Sequence, residues 1–130
     1  MANRVVHFEI EAKDKDRAKK FYEQIFGWEM QQMGKDMSDY VVVVTGDPKE
    51  PNGINGGMYQ AQKEKELNAF RCVISVDDVK KSMGDVKNAG GKVLHGPDDI
   101  PGVGLYALCE DTEGNMFGIL QPSSDMTAQK

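Results

Sequence analysis

The chain has little cysteine, little histidine and no long apolar run, and each shortage excludes something. There are two cysteines, Cys72 and Cys109, far apart and in no CxxC arrangement. A zinc ribbon, a thioredoxin-type redox motif and a disulfide framework are therefore all excluded. Both thiols are expected to be reduced and to sit in the core. Neither has a local signature of a catalytic cysteine. Two histidines, His7 and His95, leave few nitrogen ligands for a transition metal. No apolar stretch approaches the roughly 20 residues of a membrane span. The opening MANRVVHFEI has only a short apolar stretch, broken by His7 and Glu9, with no cleavage site after it. It does not read as a secretory leader, and a cytoplasmic location is expected. Basic residues are also in deficit, 16 against 21 acidic, for a net charge of −5. That balance argues against broad nucleic-acid or anionic-membrane binding.

What is present is an ordinary globular composition, with 39% apolar and 28% charged residues over 130 positions. This length fits one domain with a core of its own. Residues 4 to 11 alternate, with Val6, Phe8 and Ile10 on one face and His7, Glu9 and Glu11 on the other, as in a half-buried strand. Asp14 then caps a helix, and Ala18, Phe21, Tyr22, Ile25 and Phe26 form its apolar stripe. Gly27 suits the left-handed residue that ends it. Strands are predicted around Trp28 and Met30, over 40–45 and over 54–60, with a turn at Gly46-Asp47-Pro48.

The same order then recurs. Residues 61–68 (AQKEKELN) read as a connection, and 70–76 as a strand. Asp77 is the expected cap of a second helix striped by Val79, Met83 and Val86, with Ala89 and Gly90 at its end. Strands over 93–95 and 104–109 flank a Gly/Pro loop, GPDDIPGVG, read as a connector or a lid. DTEGN (111–115) is a tight turn into a last strand, 116–121. Asp14 and Asp77, Gly27 and Gly90, and Met30 and Val93 are each 63 residues apart, which points to internal duplication. The expected layout is a first module over about 1–60, a linker over 61–68, a second module over about 69–121 and a frayed tail over 122–130.

These motifs, in this order and spacing, resemble the vicinal-oxygen-chelate superfamily of glyoxalases, bleomycin-resistance proteins and extradiol dioxygenases. The opening resemblance is carried by His7-Phe8-Glu9-Ile10, Asp14, Arg17-Ala18, Phe21-Tyr22 and Phe26-Gly27-Trp28. The closing one is carried by Ser75-Val76-Asp77-Asp78, Ala89-Gly90-Gly91 and Asp111-Thr112-Glu113-Gly114-Asn115. The chain looks most like an uncharacterised glyoxalase-like subgroup. The resemblance implies an α+β fold of two βαβββ modules, whose curled mixed sheet surrounds a cavity with helices outside. It implies that His7, Glu9, Arg71, Val73 and Ser75 face inward, with Cys72 and Ile74 under the second helix. Tyr106, Leu108, Met116, Gly118 and Leu120 would line the rest. A homodimer is also implied.

Metal-dependent members use up to four histidine or carboxylate ligands to hold a divalent cation. Carried over, only His7 matches a ligand position. Arg71 stands at the second, Gly118 at the last, and the remaining one falls near Gly57 or Met58. An arginine there repels a dication and keeps its proton. A substitute set of His7, Glu9 and His95 is conceivable, though His95 reads more simply as an exposed loop residue. Glu9 and Arg71 form either a structural ion pair or a site in which Arg71 anchors an anionic or carbonyl-bearing ligand and His7 or Glu9 acts as acid or base. His7 is equally readable as a hydrogen-bonded core histidine. Trp28, Tyr40 and Tyr106 either stack on a planar ligand or simply pack. Met58 and Met116 are candidates for an adaptable pocket wall. Gly56-Gly57 and Gly90-Gly91 lack the lysine and setting of a phosphate loop.

The functional expectation is a small-molecule binding protein without the usual metal or any other cofactor. The candidate catalytic residues are His7 and Glu9, and the candidate ligand-binding residues are Arg71, Tyr106, Leu108, Met116 and Met58. The alternative is a metal-dependent lyase or dioxygenase with an altered metal site. A module serving mainly as an interaction partner has no charge patch to support it.

Overall fold

The computed structural model describes residues 3–33, 40–50, 52–61 and 70–123. The elements run β1 (Val5–Ala12), α1 (Lys15–Phe26), β2 (Glu29–Gln32), β3 (Val41–Val44), β4 (Gly56–Gln60), β5 (Phe70–Ser75), α2 (Val79–Asn88), β6 (Lys92–Ile100), β7 (Gly104–Glu110) and β8 (Met116–Pro122). That is βαβββ twice, as the duplicated landmarks require. The chain groups into two compact units, His7–Phe70 and a second made of Met1–Val6 with Arg71–Lys130. The opening residues join the second unit through backbone bonds: Asn3 N donates to Ser75 O and Ser75 N to Arg4 O.

In the first unit β1 runs parallel to β4, with Glu9 opposite Gly57 and Ile10 opposite Met58. Strand β3 runs antiparallel to both β4 and β2. Alternation sends Ile10, Val41, Val43 and Met58 into one core with Ala12 and Met30, against which Phe8, Ala18, Tyr22 and Trp28 pack. Helix α1 covers that face. Its stripe is narrower than the sequence predicts. Ala18 and Tyr22 meet the core, whereas Phe21, Ile25 and Phe26 are 53%, 56% and 59% exposed. Phe26 is instead drawn into an aromatic group with Tyr22 and Trp28, whose rings lie 5.1 Å apart and nearly parallel.

In the second unit β5 runs parallel to β8, and β7 lies antiparallel between β8 and β6. Val76, Val79, Ala107, Cys109 and Ile119 form its core, with Ile74, Met83 and Val86 packed on it. Four expectations are corrected here. The cap of α2 is Asp78, whose carboxylate accepts from Lys81 N at 3.1 Å, and Asp77 is merely exposed. This places Val79 at the first helical position, fully buried, which a cap at Asp77 would not do. The caps are thus 64 residues apart (78 − 14), while the left-handed glycines Gly27 and Gly90 keep their spacing of 63. Cys72 is exposed, because Arg71 and Val73 take the buried positions on β5; Cys109 is fully buried as expected. The Gly/Pro loop is neither lid nor connector: β6 runs through it to Ile100, paired to β7 with two register shifts, and only 101–103 turn. The glycine-bearing strand begins at Gly56 rather than at 54. The expected linker falls almost wholly on 62–69, and most of the expected tail on 124–130; both lie outside the described residues.

Both helices are also held by a glutamine from the last strand of their own module. Gln60 Oε1 accepts from Lys15 N at 3.1 Å, and Gln121 Oε1 accepts from Val79 N at 3.0 Å. With the aspartate caps, two of the orphan amide groups of each helix start are satisfied. Among the described residues no helix is long and apolar enough to cross a membrane.

Candidate functional site

Strand alternation gives each module a face turned away from its helix. In the first unit that face carries His7, Glu9 and Gly57, the residues out of phase with Ile10 and Met58. Tyr40, just before β3, reaches across it. Its hydroxyl lies 3.1 Å from His7 Nε2. Its ring lies over Gly57, where any side chain would run into the phenol. Both residues are half-buried. Burial lowers the pKa of His7 below its usual 6.5, so the imidazole is neutral at pH 7. Burial first, and then the nearby Glu9 charge, raises that of Tyr40, so its phenol stays protonated. Glu9 thus lies close enough to act electrostatically on Tyr40.

The second unit repeats this arrangement. On β7 and β8, Leu105, Ala107, Cys109, Phe117 and Ile119 face α2. Tyr106, Leu108, Met116, Gly118 and Leu120 therefore share the other face. Tyr106 lays its ring over Gly118, where a β-carbon would come within 2.6 Å of it. The two glycine–tyrosine pairs have the same diagonal register. Gly57 opposes Val42 and is covered by the residue two before it; Gly118 opposes Leu108 and is covered by the residue two before that. Arg71 lies on β5 in phase with Val73, which opposes Gly118, and is only 6% exposed.

Other expected site residues are placed elsewhere. Met58 is fully buried on the helix face of the first sheet and offers no pocket wall. On β4 it is Gly57 that lies on the face away from the helix. Trp28 packs on Tyr22 rather than presenting a stacking surface. His95 is exposed as expected, but on a strand, with its Nε2 2.9 Å from Asp98 Oδ2. The His7–Glu9–His95 set is not formed. Among the described residues, no three of His, Cys, Asp and Glu are grouped so as to hold a metal ion. A groove of about 410 Å³ lies between the end of β1 and the start of α1, lined by Glu11, Asp14, Arg17 and Phe21 among others, and includes neither His7 nor Tyr40. Sequence reasoning gave Tyr40 only the choice between stacking on a ligand and packing, and no bond to His7. The available signal was Gly56-Gly57 inside a strand, which marks close approach by another group.

Residues 4–46 match the bleomycin resistance protein-like N-terminal family. A glyoxylase-like domain-containing protein of Didymella fabae is 30% identical over 112 residues, covering 85% of this chain and 88% of that protein. The chain belongs to the glyoxalase and bleomycin-resistance family. The CFP32 protein of Mycobacterium tuberculosis, which carries a glyoxylase name, is 30% identical over 109 residues, 83% of this chain. This chain spans 40% of that relative's length. A Streptomyces coelicolor methylmalonyl-CoA epimerase variant in complex with 2-nitronate-propionyl-CoA superposes with a TM-score of 0.69 at 16% identity, over 95% of this chain and 97% of that one. At that identity the likeness concerns the fold alone. The first unit's open face thus carries His7 hydrogen-bonded to the Tyr40 phenol and Gly57 under its ring, and the second unit's carries Gly118 under the Tyr106 ring.

Proposed function

We propose that this chain is a small-molecule binding protein of the glyoxalase and bleomycin-resistance type that works without the family's divalent metal. One observation carries the reading. At the last-strand positions where metal-dependent relatives place ligands, this chain has Gly57 and Gly118, each covered by a tyrosine ring. The histidine that does match already has its Nε2 at the Tyr40 hydroxyl. Arg71 adds fixed positive charge, which suits a carboxylate or another anion and repels a dication. The residues present therefore do not fit a resident metal, and no metal-routed step is derived. Arg71 is the proposed anion anchor, and Tyr106, Leu108 and Met116 are proposed contacts for the remainder of the ligand. The reading includes a symmetric homodimer in the cytoplasm.

Two measurements test it. Metal analysis after supplementation with nickel, zinc, iron and manganese should find less than about one-tenth of an equivalent bound. A stoichiometric metal would overturn the metal-free reading. Thermal-shift screening with small 2-oxo acids and bleomycin-like compounds should raise the melting temperature. Arg71→Ala should abolish the shift given by the anionic compounds. No shift with either class would remove the binding reading, and an unchanged shift in the variant would remove Arg71.

A further inference from the structure

We propose that the flank of α1 bearing Phe21 and Ile25, together with Phe70, is the surface through which two copies of this chain associate, with their α1 helices antiparallel. The inference rests on the homodimer part of the reading above and names the face it uses. Phe21, Ile25 and Phe70 are 53%, 56% and 59% exposed. They gather around Tyr22. The Phe21 ring lies 5.2 Å from the Tyr22 ring and the Phe70 ring 6.3 Å from it, and Ile25 follows Phe21 by one helical turn. Phe70 also stacks on Phe8 at 6.1 Å. Lys15 Nζ donates to Gln32 on β2, so it is the other flank of the helix that turns to β2.

Half-exposed, the three side chains present roughly 300 Å² of apolar surface together, the size of a functional patch on a monomer. A stable complex buries about 800 Å² per partner, so most of the contact has to be polar, and its charges decide what fits there. They are arranged for a second copy. Before Phe21, α1 carries Lys15, Arg17, Lys19 and Lys20 against a single acid, Asp16. After it the one charged side chain in the helix is Glu23, and Glu29 follows. The last turn holds no basic residue to offset the negative end of the helix dipole. A twofold axis at position 23, midway between Phe21 and Ile25, sets the cationic half of each helix beside the acidic half of the other. Arg17 is six residues, about 9 Å, from that point, and α1 ends three residues beyond it on the other side. Arg17 of one copy therefore reaches past the helix end of the other, beside its last carbonyls and Glu29. Both Arg17 and Glu29 are exposed. Parallel helices would set cation on cation.

Sedimentation equilibrium of the full chain, at roughly 1 to 100 micromolar, reads the association. The wild type should reach twice the chain mass. Phe21→Ser/Ile25→Ser should remain a monomer throughout, with a cooperative melting transition showing that it is folded. Arg17→Glu and Glu29→Arg test the orientation without touching the apolar patch. Each alone sets like charges together twice across the axis and should weaken self-association about ten-fold. Mixed in equal amounts they should restore the wild-type affinity, because a dimer of one Arg17→Glu chain and one Glu29→Arg chain has opposite charges at both contacts. A mixture no tighter than its components would overturn the antiparallel pairing and the proposal with it. A dimer that persists in Phe21→Ser/Ile25→Ser would overturn the proposal and leave the homodimer to another face. A monomeric wild type would overturn both, while the small-molecule reading would still stand or fall on its thermal shifts.

Discussion

Tyr40 Oη sits 3.1 Å from His7 Nε2, and the same phenol ring takes the room above Gly57. One side chain thereby bonds the histidine and fills the room that a side chain at position 57 would need. The pair is neutral, since burial disfavours the imidazolium and, together with Glu9, the phenolate.

The neutrality of His7 makes stability depend on pH. Its folded pKa lies below the unfolded value of 6.5, so below pH 6.5 the unfolded chain binds more protons than the folded one. Stability should therefore fall as pH drops from 6.5 towards the folded pKa, and level off below it. Melting temperatures measured in wild type and His7→Gln should diverge in this window, with the variant flatter. Parallel curves would assign the acid sensitivity to other groups.

The glycine–tyrosine contacts should behave as coupled pairs. Gly57→Ala places a methyl group into the Tyr40 phenol and should cost about 1–3 kcal/mol, as overpacking does. In Gly57→Ala/Tyr40→Ala the clash is gone, so the double change should cost less than the sum of the single ones by at least about 0.5 kcal/mol. Gly118→Ala with Tyr106→Ala should repeat the pattern, measured by urea denaturation. Strict additivity would mean that the rings move aside freely.

The helix starts give a sharp comparison between neighbouring aspartates. Asp78→Ala removes the acceptor for Lys81 N and should cost about 1 kcal/mol, while Asp77→Ala should stay within about 0.5 kcal/mol. Gln60→Ala and Gln121→Ala should each cost about 1 kcal/mol, since each frees a helix-start amide. Equal effects at positions 77 and 78 would contradict the observed cap.

The two thiols should separate by reactivity. Cys72 is exposed, whereas Cys109 is fully buried and its pKa is raised by that burial. A chromogenic disulfide reagent should titrate Cys72 rapidly in the native protein and Cys109 only after unfolding. Rapid reaction of both would show that the β7 core opens readily.

Element types were legible because they rest on local chemistry. The strand read over 4–11, the Asp14 cap, Gly27 and the DTEGN turn rest on signals within a few residues and appear where expected, although Glu11 is buried with Ile10 and Ala12 instead of alternating with them. In the turn, Asp111 accepts from the backbone of Glu113 and Asn115 and from the Asn115 side chain. Errors arose where two local signals competed. Asp77 and Asp78 are equally good caps in isolation, and burial of Val79 selects the second. Gly96-Pro97 and Pro101-Gly102 both read as loop, yet pairing with β7 carries β6 through the first pair and turns at the second.

By itself the sequence determined the duplicated βαβββ order, because it follows from residue type and spacing along the chain. Only the tertiary structure decided that Gly57 rather than Met58 faces His7, and that Tyr40 and Tyr106 cover the glycines. Those facts depend on strand register, where a shift of one residue exchanges the two faces of a sheet, and on contacts between residues such as His7 and Tyr40 that only packing brings together.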